Sequence, residues 1–535
     1  MLSLAVLCGT AACSVNSPQD SGRKTADKQP FEENWESLSK AKKTPDWFQD
    51  AKFGIYAHWG PVSQAFVNMK PKQHLAGWHG MMMYGKEGVP NWKTKKVATK
   101  PDGTPRPTGN YLHHVEQFGE PTEGFGYKYL IEQFNPKGFD AKKWAELFEK
   151  SGAKFSGPVA MHHDNFAMWD AQSTRWNSVN YGGVDVSAEL KKEIESRGMK
   201  YLASFHHAFT WKYFGPAHVY GERSGNKIPK EDYDLYTDAH GFDDDMPTER
   251  FHEEWWDKLK EYIDVYQPDV IWFDWWLENM KEEYRQKFLA YYYNKGKEWN
   301  KEVAVLFKET TFPESTAIRD YERGRPNQPK ADPWITDTSP GTWFYRSNAK
   351  FVETNELVDI LVDIVSKNGN MLLNVPPDPD GSIPAVMENL LIEMGEWLAV
   401  NGDAIYGTRP WTVFGEGPTR LPSGGHKIER KKIVYTEKDI RFTKKSDNEF
   451  YALVMDTPKG DIQIKTLSTS LGVLNNDIEK VTLLGSDEEL VWERNEDGLI
   501  IKRPAHFPTE HTHAFRIQCQ GYREADIGGE LEQTL

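Results

Sequence analysis

The sequence predicts an α/β fold, a (β/α)8-like TIM barrel, followed by a C-terminal all-β sandwich domain. Between about residues 35 and 410, short apolar runs that end in polar clusters alternate with helical segments, a pattern typical of βα units around a parallel sheet. Beyond about Pro410, strand-like runs follow one another at short intervals without a long helix, which is typical of a sandwich. A chain of 535 residues with 38% hydrophobic content can bury both cores.

The first residues of the chain are similar to an export signal. The apolar segment 1–12 ends in the small residues T-A-A directly before Cys13, as in bacterial lipoprotein signals. We therefore predict a lipoprotein-type signal peptide over residues 1–13, with a lipidated Cys13 as a possible membrane tether, and a flexible polar tether over residues 14–34. This pattern predicts an exported protein, periplasmic or anchored to the outer membrane of a bacterium.

The barrel is predicted to cover residues 35–410. Its strands are predicted at residues 53–59, 157–161, 200–205, 270–273, 303–307, 334–338 and 371–375. Its clearest helices are predicted at residues 140–151, 188–196, 251–266 and 353–365. The segment 71–120 is rich in Gly, Pro and Lys and contains Trp78, so it is predicted as a long functional loop.

The remaining residues, 411–535, are predicted to form the sandwich domain. Its strands are predicted at residues 440–443, 450–455, 461–466, 480–484, 499–502 and 514–518. This part of the sequence shows no evident catalytic cluster.

Composition excludes one class of partner and favours another. The formal charge is -15 with acidic and basic residues intermixed, which argues against a nucleic-acid partner. Aromatic residues make up 13% of the chain, with 20 Trp. Flat aromatic rings at this density form either a Trp-rich core or apolar platforms on which sugar faces stack.

Polar residues follow the predicted barrel strands at equivalent positions. They are His58, His162, His163, His206, Asp274, Lys308 and Glu309. The residues just past the strands of a barrel converge on one pocket at its C-terminal face. One such residue alone is more often structural, but the repetition from unit to unit favours a functional site.

Asp274 stands out among these residues. It ends the apolar run D-V-I-W-F-D-W-W (269–276), where a carboxylate among aromatic rings is costly to desolvate unless it has a role or a partner. From this run alone, Asp274 is either a catalytic group or the cap of the next helix.

Two kinds of chemistry would suit these residues. A metal site would use the histidines, but the barrel region contains neither H-E-x-x-H nor H-x-H, so we expect no metal and no cofactor. A glycosidase requires two carboxylates, and histidines are suitable hydrogen-bonding partners for sugar hydroxyls. Trp59, Trp78 and Trp272 are then candidates for apolar faces of a sugar site.

Several longer motifs carry a family resemblance. They are W-F-Q-D-A-K-F-G-I-Y-A-H-W-G (47–60), F-N-P-K-G-F-D-A-K-K-W-A-E-L-F-E-K-S-G-A-K (134–154), H-H-D-N-F-A-M-W (162–169), P-D-V-I-W-F-D (268–274), N-G-N-M-L-L-N-V-P-P-D-P-D-G (368–381) and N-G-D-A-I-Y-G-T-R (401–409). In this order, the sequence resembles the α-L-fucosidases of glycoside hydrolase family 29. The resemblance implies a (β/α)8-like catalytic barrel with a C-terminal β-sandwich, a retaining mechanism without a cofactor, and a fucosylated oligosaccharide or polysaccharide as substrate.

The resemblance also implies roles for single residues. Asp274 matches the nucleophile, and Trp272 matches a ring that lines the pocket. The family's fucose-hydroxyl ligands correspond to His58, His162 and His163. His206 stands near a pocket position that is often Tyr in the family.

The candidates for the acid/base are Glu278, Glu309, Glu314 and Glu322. Glu322, in R-D-Y-E-R-G, lies about where many members of the family carry this group, and we prefer it. Glu309 follows because it ends a predicted strand. A structural interpretation of Glu322 is a surface salt bridge to Arg323 or Arg325.

Three departures from the family pattern leave the substrate open. Gly77 precedes Trp78 where many members have Glu, Asn165 replaces a Gly, and Lys308 replaces a frequent Arg. Alternatives to an α-L-fucosidase are therefore a glycosidase for a related sugar, such as an α-L-galactoside or a sulfated fucose, and a non-catalytic carbohydrate-binding barrel.

Overall fold

The computed structural model describes residues 29–67, 76–91, 94–238, 246–421 and 432–521. The predicted signal peptide and Cys13 lie outside the described residues. Within these ranges, none of the helices combines the length and the apolar character that a membrane span requires.

Eight parallel strands form a barrel, as predicted. They are β1 (Phe53–Ala57), β2 (Phe155–Met161), β3 (Lys200–Phe205), β4 (Val270–Phe273), β5 (Ala304–Phe307), β6 (Ile318–Arg319), β7 (Trp334–Thr338) and β8 (Gly369–Val375). Their order is β6-β5-β4-β3-β2-β1-β8-β7, and a parallel bridge between Asp320 and Ile335 brings the two edges together. Almost every strand residue is buried, which explains the continuous apolar runs in the sequence.

The interior of the barrel is filled by large side chains. Tyr56, Phe155, Leu202, Trp272 and Leu372 belong to one buried cluster at its centre. Such a packed interior leaves room for a pocket only at the ends of the strands.

The helices of the chain pack outside the strands or line the connections. They are α1 (Trp35–Leu38), α2 (Asp46–Ala51), α3 (His79–Met82), α4 (Gly109–Gln117), α5 (Tyr127–Glu132), α6 (Ala141–Lys150), α7 (Ser178–Gly182), α8 (Val186–Ser196), α9 (Thr210–Tyr213), α10 (Gly215–Ser224), α11 (Tyr233–Tyr236), α12 (Glu249–Tyr266), α13 (Glu282–Trp299), α14 (Thr354–Val365) and α15 (Ala385–Asn401). The Asp140 side chain caps α6 by accepting a hydrogen bond from the Lys143 N–H at 3.1 Å, as its position predicts. The prediction of a loop over 71–120 is wrong where the chain is described, because α3 and α4 form there.

The C-terminal part consists of two antiparallel sheets. The five-stranded sheet runs in the order β13 (Ile478–Leu483), β16 (His513–Cys519), β11 (Glu449–Val454), β10 (Ile440–Ser446) and β9 (Arg409–Glu416). The three-stranded sheet runs in the order β12 (Ile462–Ile464), β15 (Gly498–Ile501) and β14 (Trp492–Asn495). A separate core lies between them, in which the Trp411 and Phe450 rings stack at 4.6 Å.

Part of the predicted tether is packed against the barrel. The Phe31 backbone N–H donates to Asn294 Oδ1 at 2.7 Å, and Asn294 Nδ2 donates back to Phe31 O at 3.0 Å. The Phe31 ring lies 6.0 Å from that of Tyr293. The prediction of a flexible tether is therefore wrong for residues 31–34, because an aromatic residue close to α13 docks on that helix. The rest of the predicted tether before residue 29 lies outside the described residues.

Candidate active site

A cavity of about 480 Å³ lies at the C-terminal ends of the barrel strands. Among the predicted site residues, those that line it are His58, Trp78, His162, His163, His206, Trp272, Asp274, Lys308 and Glu322. They come from six different βα units, and the parallel strands bring them together because all strands end at the same face.

Asp274 follows β4 and is buried at the bottom of the cavity. Its Oδ2 lies 3.1 Å from His206 Nδ1 and 3.4 Å from His163 Nε2, and its Oδ1 lies 3.2 Å from Lys308 Nζ. Burial by itself would raise the pKa of Asp274, but the Lys308 charge and the hydrogen bonds of the histidines hold it well below its usual range. Asp274 is therefore ionised, as a nucleophile must be.

The alternative role of Asp274 as a helix cap does not fit this geometry. The short 3-10 helix that follows, Leu277–Asn279, has Trp276 at its N-cap position and receives no side-chain capping bond in the described structure. The contacts of the Asp274 carboxylate point to the pocket instead.

Lys308 is the charged centre of the site. Its Nζ lies 3.2 Å from Asp274, 3.4 Å from Glu322 Oε2 and 3.1 Å from Asp337 Oδ2, and it sits 4.7 Å from the centroid of the Trp272 ring. Burial would lower the pKa of Lys308, but the Asp337, Glu322 and Asp274 carboxylates raise it well above its usual value. A buried ammonium group with three carboxylate neighbours stays charged.

Glu322 faces Asp274 across Lys308. Since both carboxylates contact the same Nζ, Asp274 Oδ1 and Glu322 Oε2 are at most 6.6 Å apart, the sum of the two contacts. Carboxyl groups lie about 5–5.5 Å apart in retaining glycosidases and about 6.5–9.5 Å apart in inverting ones. This upper limit admits the separation of a retaining pair. Glu322 is buried in the pocket wall rather than in a surface salt bridge.

Glu309, the second acid/base candidate, does not line the cavity. Its side chain is exposed, and its backbone is in the left-handed region with φ of 55°. After the end of β5 the chain turns at this residue, so Lys308 points into the pocket and Glu309 points to solvent. The sequence criterion failed here because a strand-end position does not specify the direction of the next side chain.

Trp59 is the other predicted residue that the structure places elsewhere. It is buried, its Nε1 donates to Pro379 O at 3.2 Å, and its ring stacks on Phe139 at 5.3 Å. Side chains of successive residues point in opposite directions along an extended chain, so His58 in the pocket sends its neighbour into the outer core. Trp59 is therefore a core residue and not a sugar platform.

Three histidines of the pocket, His58, His162 and His206, are held as neutral rings. Burial lowers the pKa of His58 and of His162 well below the usual value, and it lowers that of His206 to about 4. His58 Nδ1 donates to Asn374 Oδ1 at 2.8 Å, and His163 Nδ1 donates to the His206 carbonyl at 2.7 Å. A neutral His58 ring then presents Nε2 as an acceptor.

Buried histidines predict a loss of stability in acid. Burial lowers the pKa of His206 and of His114 to about 4 and that of His207 to about 3, against about 6.5 in an unfolded chain. The unfolded state therefore takes up protons first, and stability that is complete above pH 6.5 is lost as the pH falls towards 4. At about 1.4 kcal/mol per pKa unit, His206 alone accounts for up to about 3 kcal/mol of this loss in the free energy of unfolding.

We expect the unfolding midpoint, followed by circular dichroism, to fall steadily between pH 6.5 and pH 4. His207→Asn serves as a test variant outside the cavity and should flatten this fall. A midpoint that is constant over this range would contradict the neutral state of these rings.

Aromatic rings form the remaining wall. The Trp78 ring lies 5.5 Å from that of His163 and 5.6 Å from that of Trp275, and the Trp343 ring lies 5.5 Å from that of His58. These flat faces surround the polar base of the cavity, an arrangement suited to a sugar ring with one apolar face.

The sequence analysis missed several residues of the site. Asp337, at the end of β7, accepts from the Tyr56 hydroxyl at 3.0 Å and contacts Lys308, and burial raises its pKa. The polar T-D-T at the end of a predicted strand was a usable signal for it. Other lining residues come from segments without a periodic signal: Arg323, Gly341, Thr342, Trp343 and Arg346.

The three departures from the family pattern differ in their structural meaning. Gly77 lines the cavity, and a side chain there would meet only ordinary contacts, with Phe344 at 3.6 Å and His162 at 3.7 Å. Asn165 lies outside the cavity lining and serves the fold, since its Nδ2 donates to the carbonyls of Asp234 and Leu235. Gly77 and Lys308 are thus the departures that bear on the substrate.

Two sets of side chains lie close enough to hold a cation. The ligand atoms of His58, His162 and His206 lie within 4.8 Å of one another, and so do those of His163, His206 and Asp274. In the second set, Asp274 is already neutralised by Lys308 at 3.2 Å. The absence of a metal requirement stays a prediction.

Comparison with known proteins agrees with this geometry over nearly the whole chain. Residues 20–403 match the family model for alpha-L-fucosidase, and residues 434–518 match that for the alpha-L-fucosidase C-terminal domain. The chain is 27% identical over 514 residues to the alpha-L-fucosidase of Dictyostelium discoideum, which covers 91% of this chain and 95% of that protein. It is 27% identical over 507 residues to human tissue alpha-L-fucosidase, with 92% and 91% covered.

The fold comparison gives the same result. The crystal structure of Thermotoga maritima alpha-fucosidase in complex with a mechanism-based inhibitor superimposes with a TM-score of 0.68 at 27% identity, covering 91% of this chain and 100% of that chain. A complex of the Thermotoga maritima enzyme with fucose gives a TM-score of 0.65 at 26% identity, covering 91% and 100%. The chain belongs to the α-L-fucosidase family, glycoside hydrolase family 29.

Proposed function

We propose that the protein is an exo-acting, retaining α-L-fucosidase that releases terminal α-L-fucosyl residues from fucosylated oligosaccharides or polysaccharides by double displacement. Family membership supports the reaction. The observation that carries the mechanism is the Lys308 ammonium between two carboxylates, with contacts of 3.2 Å to Asp274 and 3.4 Å to Glu322.

In the first step, the Asp274 carboxylate attacks the anomeric carbon of the fucosyl unit. The new bond joins carboxylate oxygen and carbon, while the bond from this carbon to the leaving oxygen breaks. Glu322, protonated at this stage, transfers its proton to the leaving oxygen. The result is a covalent glycosyl ester on Asp274 and an ionised Glu322.

In the second step, Glu322 removes a proton from water, and the water oxygen attacks the anomeric carbon. The ester bond to Asp274 breaks, so the second inversion restores the original configuration. One negative charge thus moves from Asp274 to Glu322 and back. Lys308 contacts both groups, so a cation lies beside the negative charge in each state without rearrangement.

The other residues hold the sugar in place. The neutral rings of His58, His162 and His206 each offer a donor or an acceptor to ring hydroxyls. The Trp78, Trp272 and Trp343 rings offer apolar faces for the sugar ring and for the methyl group of a 6-deoxy sugar. The polar base of the cavity thus lies opposite an apolar wall. This arrangement favours a small polar ligand with one apolar side.

The space at Gly77 favours one alternative with the same reaction chemistry, a glycosidase that acts on a related sugar. A substituent on the sugar could lie beside His162, where no side chain stands. An α-L-galactoside or a sulfated fucose carries such a substituent. A non-catalytic binding protein is disfavoured because the pocket retains both carboxylates.

Stereochemistry and substrate range test this proposal. We expect aryl α-L-fucosides to be hydrolysed with α-L-fucose as the first product in the proton NMR spectrum, before mutarotation. Aryl α-L-galactosides and sulfated fucosides, assayed in parallel, measure the tolerance at Gly77. First release of the β anomer would overturn the double-displacement mechanism, and faster turnover of either analogue would reassign the substrate.

We further propose that the enzyme is an exported lipoprotein, periplasmic or anchored to the outer membrane through a lipidated Cys13. The T-A-A-C sequence supports this location. The full chain, expressed in a bacterium, should incorporate labelled palmitate and partition into detergent, and Cys13→Ser should do neither. Equal labelling of both proteins would contradict lipidation at this residue.

A further inference from the structure

The segment that carries Glu322 runs from β6 to β7 and is held by long-range contacts. The Arg323 N–H donates to Asp337 O at 2.9 Å, and the Asp337 N–H donates to Asp320 Oδ1 at 3.0 Å. Arg323 itself has a φ of 44°, a left-handed conformation that is unfavourable for a residue with a side chain. Such a backbone persists only where its surroundings impose it.

Arg325 anchors this segment shortly after Glu322. It lies three residues after Glu322 and is only 1% exposed. Its Nε is 3.7 Å from Asp363 Oδ2, on α14. The Arg325 side chain thus points from the Glu322 segment, which we call the catalytic segment, towards α14 on the outside of the barrel.

Asp363 joins this anchor to the C-terminal domain. Its Oδ1 lies 2.7 Å from Arg441 Nε, on β10, and its Oδ2 lies 2.9 Å from Lys367 Nζ. Burial would raise the pKa of Asp363, but the Lys367, Arg441 and Arg325 cations hold it well below its usual value. One fully buried carboxylate therefore binds cations from the catalytic segment and from the C-terminal domain.

Aromatic residues of the C-terminal part cover this cluster. The Arg441 guanidinium lies 5.1 Å from the centroid of the Tyr435 ring, and the Lys367 ammonium lies 4.9 Å from that of Phe414. Removal of one ion would leave the others buried without their partner, so the positions of the four charged groups are coupled.

We infer that Arg325, Asp363 and Arg441 are positioning residues, through which the C-terminal domain holds Glu322 in register with Asp274. The inference rests on the proposed acid/base role of Glu322. The C-terminal domain then takes part in catalysis without contacting the sugar. Displacement of Glu322 should impair proton transfer and leave nucleophilic attack intact.

Two substrates separate these effects in the full chain. α-L-Fucosyl fluoride has a leaving group that needs no protonation, whereas methyl α-L-fucoside requires it. For Arg441→Met we expect kcat/KM for the methyl glycoside to fall about tenfold or more. This is part of the rate factor that general acid catalysis supplies, which is about 10²–10⁴. With the fluoride as substrate, we expect kcat/KM of Arg441→Met to change by less than about twofold. For Arg441→Lys we expect a smaller fall of kcat/KM with the methyl glycoside than for Arg441→Met.

Arg516→Met is the matched control. Arg516, on β16, forms an ion pair with Asp403 of the barrel side and is partly buried, but it belongs to a different part of the domain interface. We expect Arg516→Met to leave the ratio of the two kcat/KM values unchanged. If Arg441→Met leaves the ratio of the two kcat/KM values unchanged, because both fall equally or neither falls, the inference is overturned.

Two further variants, Arg441→Lys and Glu322→Ala, complete the experiment. If Arg441→Met does not fold, as judged by circular dichroism, Arg441→Lys is measured on the same ratio, and an unchanged ratio overturns the inference. Glu322→Ala is measured in parallel. If Glu322→Ala leaves the ratio unchanged, the proposed role of Glu322 fails; if only Arg441→Met and Arg441→Lys leave it unchanged, only the positioning role fails.

Discussion

Asp274→Gly is expected to lower kcat for aryl α-L-fucosides by about four orders of magnitude or more, as removal of a nucleophile does in other covalent mechanisms. Asp274 is ionised in the free enzyme because Lys308, His163 and His206 surround its carboxylate. Without that carboxylate the first displacement has no attacking group, while the Glu322 carboxyl group still protonates the leaving oxygen.

External azide should restore turnover of Asp274→Gly with activated substrates. Azide then occupies the space of the carboxylate and attacks the anomeric carbon once, so the product is β-L-fucosyl azide, with inverted configuration. NMR of the isolated product and its dependence on azide concentration measure this. An α-configured azide would show that Asp274 is not the nucleophile.

Asp337→Asn is the matched control for this variant. Asp337 is also buried and also contacts Lys308, at 3.1 Å, but it has no bond to make with the sugar in the proposed mechanism. We expect it to reduce activity through Lys308 and to show no azide rescue. Rescue of Asp337→Asn and not of Asp274→Gly would exchange the two assignments.

Glu322→Ala is expected to have the second largest effect, and the effect should depend on the leaving group. For poor leaving groups, kcat/KM should fall by about 10²–10⁴, the usual contribution of general acid catalysis, and for activated aryl fucosides by much less. The reason is that protonation is needed only where the leaving oxygen is strongly basic. The alkaline limb of the kcat/KM profile should also disappear.

Azide should again accelerate Glu322→Ala, with the opposite stereochemistry. Azide needs no general base and attacks the glycosyl ester on Asp274, so the product is α-L-fucosyl azide. Glu309→Ala is the control, because its exposed side chain points away from the cavity. If Glu309→Ala shows the dependence on leaving group and Glu322→Ala does not, Glu309 is the acid/base.

The barrel could be predicted from the sequence because its strands are buried on both sides. This burial requires continuous apolar runs, and polar residues directly after them mark the ends of five strands, β1 to β5. β6 could not be found in this way, since it has only two residues, Ile318–Arg319. It is defined by its pairing with β5, where Leu306 lies opposite Ile318, and not by a pattern of its own.

The site was predicted as far as strand ends specify it. Parallel strands bring His58, His162, His206, Asp274 and Lys308 to one face wherever the barrel closes. The prediction of Trp59 and of Glu309 was wrong for a common reason: a position next to a strand end does not say whether the side chain points inward. Pocket residues on irregular loops, such as Trp343, carried no periodic signal.

By itself, the sequence determined the barrel and the family, because buried strands require continuous apolar runs and the family motifs occur in order along the chain. The role of Asp274 as the nucleophile is a prediction from that family resemblance. Only the tertiary structure separated the two preferred candidates for its partner, by placing Glu322 in the cavity wall and the Glu309 side chain at the surface. Glu322 approaches Asp274 through Lys308, which is 14 residues away in sequence, and its segment is anchored at Asp363 and Arg441. Contacts between such distant residues depend on how the whole chain packs, so no local pattern can encode them.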